Sequence, residues 1–246
     1  MSNVVTEEKE QTLLEHLLEL RSRLLKAVIA IATCTICLIP FSKKLYAWLA
    51  EPLLRHLPEG SSMIAIDVAT PFLTPFKLTL MAGLVMAIPV VIYQAWAFVA
   101  PGLYDNEKHL AKPLLFSATF LFYTGCAFAY FVVFPVVFGF FTAIAPEGVE
   151  VMTDISRYLQ FVLSLFFAFG IAFEVPVAII IIVALRVVTP EKLAKARAYV
   201  FVGAFFIGML VTPPDAISQT LLAVPMWLLF ELGILLAKVL VPESNK

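Results

Sequence analysis

The chain has 246 residues, 61 % of them hydrophobic and 14 % charged, with a formal net charge of −1. A soluble domain is nearer half apolar and a quarter charged. These values, with a mean hydropathy of +0.96, exclude a soluble globular protein and point to a polytopic membrane protein whose core is span packed on span. No basic stripe is present, which argues against nucleic acid as a partner.

The first element is TLLEHLLELRSRLLK, residues 12–26. Thr12 and Glu15 have the T-x-x-E spacing of a capping box and predict a helix start. Leu13, Leu17, Leu20 and Leu24 recur at helical spacing and form one apolar stripe. The stretch reads as a cytoplasmic amphipathic helix, within residues 1–23, that runs straight into the first span. Glu15 and Glu19 share another face, where two like charges at i,i+4 cost about 0.2–0.5 kcal/mol unless a cation joins them. The residues also allow plain roles: Glu15 as a cap and Glu19 paired with Arg23 four positions on.

Counting stretches of about 20 apolar residues gives six spans within a single membrane domain, 1–246. They are 24–42, 72–100 with Pro89 inside, 114–142 interrupted by Pro135, 158–185 with Glu174 and Pro176 inside, 198–212, and 219–238. The fifth rises only about 23 Å against a hydrocarbon core of about 30 Å, and requires a thinned bilayer or polar extensions. Thr212-Pro213-Pro214-Asp215 comes directly after it, so the last two spans form a tight, short hairpin. The first apolar run is preceded by an acidic helix, not a short basic region, and no A-x-A site comes after it; no cleavable signal peptide is expected. Cys34, Cys37 and Cys126 lie in apolar segments and read as small hydrophobes, despite the C-x-x-C spacing of the first two.

The connections fall on alternate sides. Lys9, Arg21, Arg23, Lys26, Lys108, Lys112, Arg186, Lys192, Lys195, Arg197, Lys238 and Lys246 share one side, and Lys43, Lys44, Arg55, Lys77 and Arg157 the other. The excess of positive charge places both termini in the cytoplasm. The first outer loop, 43–71, carries Pro52, Pro58 and Pro71, and its Leu45, Trp48, Leu49, Leu53 and Leu54 suit a helix lying on the membrane surface. The second, 143–157, carries Glu147, Glu150 and Asp154.

Among residues that could carry chemistry, Glu174 is the most costly, because a carboxylate in mid-membrane must be paired, solvated or protonated. It faces either a groove or partner helix, or the bundle interior, hydrogen-bonded to Gln94 or Gln219; Pro176 frees a carbonyl nearby. Asp105 and Glu107 make the first inner loop, PGLYDNEKHL, locally acidic. With Glu19 they could form a carboxylate patch suited to guanidinium groups, which pair bidentately with carboxylates; a solvated loop is the plain alternative. Catalysis finds no support. His16, His56 and His109 are scattered, Ser164 and Ser218 have no base nearby, and no H-E-x-x-H, G-x-S-x-G or P-loop pattern occurs. The expectation is no enzyme, no cofactor and no metal. A small-molecule or ion secondary transporter using Glu174 is the main rival, although paired broken helices in matching halves and a second buried charge are missing.

HLLELRSRL at 16–24, DVATPFLTPFKL at 67–78, YQAWAFVAPGLY at 93–104, FAYFVVFP at 128–135, FEVPVAI at 173–179 and GMLVTPPDAISQTLLAVPM at 208–226 are specific motifs. Over essentially its whole length the chain resembles the TatC family, the large subunit of the twin-arginine protein translocase, and looks close to the proteobacterial members. The resemblance implies an all-α fold of six transmembrane helices in a concave bundle, in the cell inner membrane. It implies a core receptor that binds twin-arginine signal peptides of folded precursors at the cytoplasmic face and assembles TatA and TatB for export driven by the proton-motive force. Self-association in a multimeric receptor complex is also implied. By the same resemblance, Glu19 and Glu107 bind the arginine pair, Arg21 orients the tail, and Phe98 lines the apolar part of the site. Pro52 shapes the outer cap, and Glu174 faces the concave side. Met209, Asp215 and Gln219 lie where the small single-span partners make contact. This chain departs from the pattern in its inner loop, DNEK, which has an extra acid and fewer basic residues.

Overall fold

The computed structural model describes residues 2–54, 63–99, 111–143, 153–212 and 216–241. Glu107, Asp105 and Asp215 lie outside the described residues. The fold is all-helical, with an isolated bridge between Ile64 and Asp154 and no strand among the described residues.

Helix α1 is Ser2–Leu38, and a 3₁₀ turn, Ile39–Phe41, joins it to α2, Ser42–Leu54. Then come α3 (Thr70–Val99), α4 (Ala111–Phe128), a π turn (Ala129–Val133), α5 (Phe134–Ala143), α6 (Ile155–Ala184), the short α7 (Pro190–Lys195), α8 (Arg197–Val211) and α9 (Ala216–Leu240). Five of the helical rods are long and apolar enough to cross a membrane, and α8 is a shorter sixth. The chain is therefore a multi-pass membrane protein. The rod α4–π–α5 runs on through Pro135, where the sequence led us to expect an interruption. The proline cannot donate to Phe131, and the turn before it widens so that Phe134 N–H reaches Ala129 O.

The helix start expected at Thr12 is also corrected. Residues 2–11 contain no Pro or Gly and are rich in Glu, Lys and Gln, good helix formers, so α1 begins at Ser2 and Thr12 lies inside it. Of the leucine stripe, Leu17, Leu20 and Leu24 are exposed, and the first buried residue beyond it is Ala27.

Helix α1 packs on α3; α6 takes α4 on one side and α9 on the other; α8 packs on α9. Lipid offers no hydrophobic drive between helices, so close packing must come from small residues. At the α1–α3 crossing a Cβ on Gly83 would lie 2.8 Å from Thr35 Cα and N. At the α6–α9 crossing a Cβ on Gly233 would lie 2.6 Å from Ile179 Cδ1 and 3.0 Å from Pro176 Cα. Glycine is what lets both pairs of backbones meet. The buried cluster around Phe134, Leu165, Phe169 and Leu222 fills the centre. A second cluster, Trp96, Leu114, Val177, Ile180, Phe230 and Ile234, fills the α7 end of the bundle.

The opposite end carries a cap. Helix α2 packs on the bundle: its Leu49 and Ala50 are buried against it and Trp48 points outward. Tyrosine hydroxyls hold it there. Tyr158 donates to Leu49 O at 2.7 Å and Tyr130 to Trp48 O at 3.3 Å. Trp48 O is available because its helical partner four residues on is Pro52, which has no N–H.

Candidate functional site

The site is built where α1, around Glu19, meets the end of α3. Glu19 and Arg23 are one helical turn apart. Arg23 donates from Nε (2.9 Å) and from Nη2 (2.5 Å) to the same oxygen, Glu19 Oε1. The second oxygen, Oε2, is 3.9 Å from His16 Nδ1. His16 in turn lies against Phe98, with ring centroids 5.1 Å apart. The plain i,i+4 pairing that the sequence allowed for Glu19 is thus the one formed in the free chain.

Below this cluster runs an apolar groove of about 290 Å³, lined by Leu20, Arg23, Leu24 and Ala27 of α1 and by Val91, Gln94, Ala95, Phe98 and Val99 of α3. Across α3 lies a second groove of about 320 Å³, between α3, α4 and α6, with Glu174 in its wall. The two share Ala95 and Val99. Arg21 is exposed and lines neither. Glu174 Oε1 is buried with no hydrogen-bond partner among the described residues. Of the two alternatives for Glu174, the groove is the one formed; Gln94 faces the first groove, and Gln219 sits in the first turn of α9. No group of acidic, Cys or His residues suited to a metal occurs among the described residues.

Of the residues named for partner contact, Met209 is exposed on α8. Gln219 on α9 packs beside Gly208, where a Cβ would lie 3.5 Å from Gln219 O. Buried Thr212 donates its hydroxyl to Gly208 O at 2.9 Å, and its extended ψ of 160° is what the next residue, a proline, demands. Pro52 lies in α2.

Two features escaped the sequence reading. One is His16, dismissed as a tail residue. The other is Glu231, which supplies the second acid in an apolar span: Arg197 Nε and Nη2 donate to Glu231 Oε1 and Oε2 at 2.6 and 2.8 Å, a fork-on-fork pair between α8 and α9. A usable signal existed. Arg197 and Glu231 are equally far in sequence from Pro214, the midpoint of the predicted hairpin, so antiparallel packing sets them level.

The comparisons with known proteins agree over the whole fold. The family model for the Sec-independent protein translocase protein TatC matches residues 15–225. The chain is 54 % identical to the TatC of Escherichia coli K12 over 97 % of its own length and 92 % of that protein. It is 52 % identical to that of Haemophilus influenzae over 100 % and 95 %. A crystal structure of the twin-arginine translocase receptor TatC superimposes with a TM-score of 0.82, at 37 % identity, covering 92 % of this chain and 99 % of that one. A second, in DDM, gives 0.83 at 38 % identity, covering 91 % and 99 %. The chain belongs to the TatC family of Sec-independent protein translocase proteins.

Proposed function

We propose that this chain is the receptor subunit of a twin-arginine translocase in the cell inner membrane, with both termini cytoplasmic. The observation that carries the reading is its likeness, over nearly the full length, to structures of the twin-arginine translocase receptor. The geometry of the α1–α3 groove gives the reading its chemistry. Glu19, with Glu107 from the inner loop, receives the guanidinium pair of a signal peptide. Phe98 and the leucines of α1 receive the apolar residues next in the peptide, and the path continues past Ala95 and Val99 toward Glu174.

The role is binding and assembly, without a catalysed reaction. TatA and TatB dock their single spans along the α8–α9 edge, where Met209, Asp215 and Gln219 lie, and several copies of the chain associate in the receptor complex. The proton-motive force drives transport. Arg21 orients the N-terminal segment and makes no contact with arginine.

The test is binding of a twin-arginine signal peptide to membranes carrying this chain, with Glu19→Gln and Glu107→Gln beside the parent. Loss of binding in either variant is expected, by about tenfold or more for a desolvated charge pair. Unchanged binding in both would remove the site. The rival reading, an ion or small-molecule carrier built on Glu174, predicts substrate flux from this chain alone in liposomes.

A further inference from the structure

We propose that a groove between α6, α8 and α9 is a binding site for one phospholipid: an acyl chain fills the groove, and an anionic headgroup sits among the basic residues at its α7 end.

The groove holds about 430 Å³, more than either groove beside α3, and no polar side chain lines it. Helix α6 contributes Ala168 and Ala172, α8 contributes Gly203 and Ala204, and α9 contributes Met226 and Phe230. Along α8 it runs from Val200 to Ile207, a rise of roughly 10 Å. Its cross-section is therefore about 40 Å², whereas a helix 10 Å across needs about 80 Å². A single flexible chain fits inside; a whole helix does not.

Gly203 is placed to keep this space open. Glycine is a poor residue inside a helix, and at Gly83 and Gly233 the close approach of another helix requires it. At Gly203 nothing does: a Cβ there would meet no atom within 4 Å. The missing side chain leaves room that belongs to the groove. Helix α8 is also short, its fifteen residues rising about 23 Å in a hydrocarbon layer about 30 Å thick. A bound chain fills the gap between α8 and α6 with van der Waals contacts that the protein itself does not supply.

Charge identifies the headgroup. Leu193 of α7 and Val200, at the end of the groove, pack against the same buried cluster as Phe230, so α7 stands at the mouth. Lys192 and Lys195 are exposed there, and Lys238 occupies the last turn of α9. Exposed Tyr199 is an amphipathic side chain of the kind that gathers at headgroup level. Arg197, 51 % exposed, spends two N–H groups on Glu231 and has three more to offer a phosphate. Of the acids at this end, Glu231 is thus already held, and Glu191 lies on α7 beside the two lysines. Basic clusters of this sort at the membrane surface attract anionic lipid.

The experiment places the full-length chain in nanodiscs of equal parts phosphatidylglycerol and phosphatidylcholine. Lipids retained on release are counted by native mass spectrometry for the parent, Gly203→Leu, Lys192→Gln, Lys195→Gln and Val202→Leu; Val202 is exposed on α8 outside the groove. The parent keeps one phosphatidylglycerol. Gly203→Leu lowers that retention about tenfold, as expected when about two methylenes lose their burial. Each lysine substitution lowers the preference for phosphatidylglycerol about fivefold, and Val202→Leu changes neither. The thermal midpoint of Gly203→Leu in detergent stays at or above the parent's, because the new side chain enters open space; a lower one would overturn the inference. Unchanged retention in Gly203→Leu, or an equal loss in Val202→Leu, also overturns it, since the lipid is then the ordinary shell around the spans. So does a preference indifferent to both lysines. If Gly203→Leu leaves the lipid in place and instead releases a co-expressed TatB, the groove seats side chains of a partner helix and the lipid site is wrong.

Discussion

Asp154 does several jobs with one carboxylate. It caps α6, with Oδ1 accepting from the backbone N–H of Ser156 at 3.0 Å and Arg157 at 2.9 Å. Its Oδ2 accepts from Ile66 N–H at 3.3 Å, and this ties the outer loop to the top of the bundle. The bond from Arg157 N–H is the largest of the influences that hold its carboxyl below the ordinary value of 3.8; Ile66 and Ser156 N–H and the Arg157 charge add to it, against a smaller cost of desolvation. Because the folded value is the depressed one, the stabilisation is complete above the unfolded carboxyl's pKa. It is lost as pH falls from about 4 through the lower folded value. The thermal midpoint of the parent in detergent is therefore expected to drop below about pH 4, and Asp154→Asn to flatten that acid limb while lowering the midpoint at pH 7. A limb of equal steepness in both proteins would remove Asp154 as its source. The sequence offered Asp154 only as one of three acids in a loop. An N-cap can be read from the helix-forming run on its C-terminal side, but the reach to Ile66 joins positions far apart in the chain and left no local mark. Glu174 is the reverse case: its cost was plain from apolar neighbours, while its lack of a partner needed the packed helices.

At the scale of elements, two prolines and two tyrosines repeat one device. Pro89 inside α3 leaves Val85 O without its helical donor, and Tyr123 of α4 donates its hydroxyl there at 3.1 Å. Pro52 inside α2 leaves Trp48 O free, and Tyr130 takes it. In lipid an orphan carbonyl has no water to turn to, so a neighbouring helix must answer it. Tyr123→Phe is expected to cost about 0.6 kcal/mol, the average measured for hydrogen bonds between membrane helices, and no more than about 1.7 kcal/mol. In a Pro89→Ala background, where residue 89 regains its own N–H, the same change should cost close to nothing. Thermal or denaturant unfolding of the four proteins in the cycle decides it: equal costs in both backgrounds would mean that Tyr123 serves packing alone. Such pairings explain what the sequence could and could not yield. Apolar run length was enough to locate the helices, since membrane thickness sets it, and the prolines were visible as interruptions. Whether a proline breaks a helix depends on who supplies the missing bond. That is why the expected break at Pro135 became a π turn, and why Tyr130 of the bundle bonds α2 at the carbonyl that Pro52 leaves free.

Over the whole molecule the decisive arrangement is that α3 stands between two grooves and has a thin wall. One groove lies against α1 and holds Arg23, Gln94 and Phe98; the other lies against α4 and α6 and holds Glu174; Ala95 and Val99 belong to both. If a ligand is anchored by charge at Glu19, the shared wall at Ala95, where the side chain is a single exposed methyl, is a crossing from the first groove to the second. The charge step and the apolar step are then separable by length of peptide. Ala95→Phe fills the crossing and leaves Glu19, Arg23 and His16 themselves unchanged. A short peptide that ends just after its arginine pair should bind the variant as it binds the parent, within about twofold. A full signal peptide should lose about tenfold, since its apolar stretch forfeits burial worth about 25 cal/mol for each Å² kept out of the groove. Fluorescence binding of the two peptides to parent and variant in nanodiscs measures both. Equal losses for the short and the full peptide would show that Ala95 shapes the anchor itself. No loss for either would send the apolar stretch along some face other than α3, and Glu174 would then have to be explained without it.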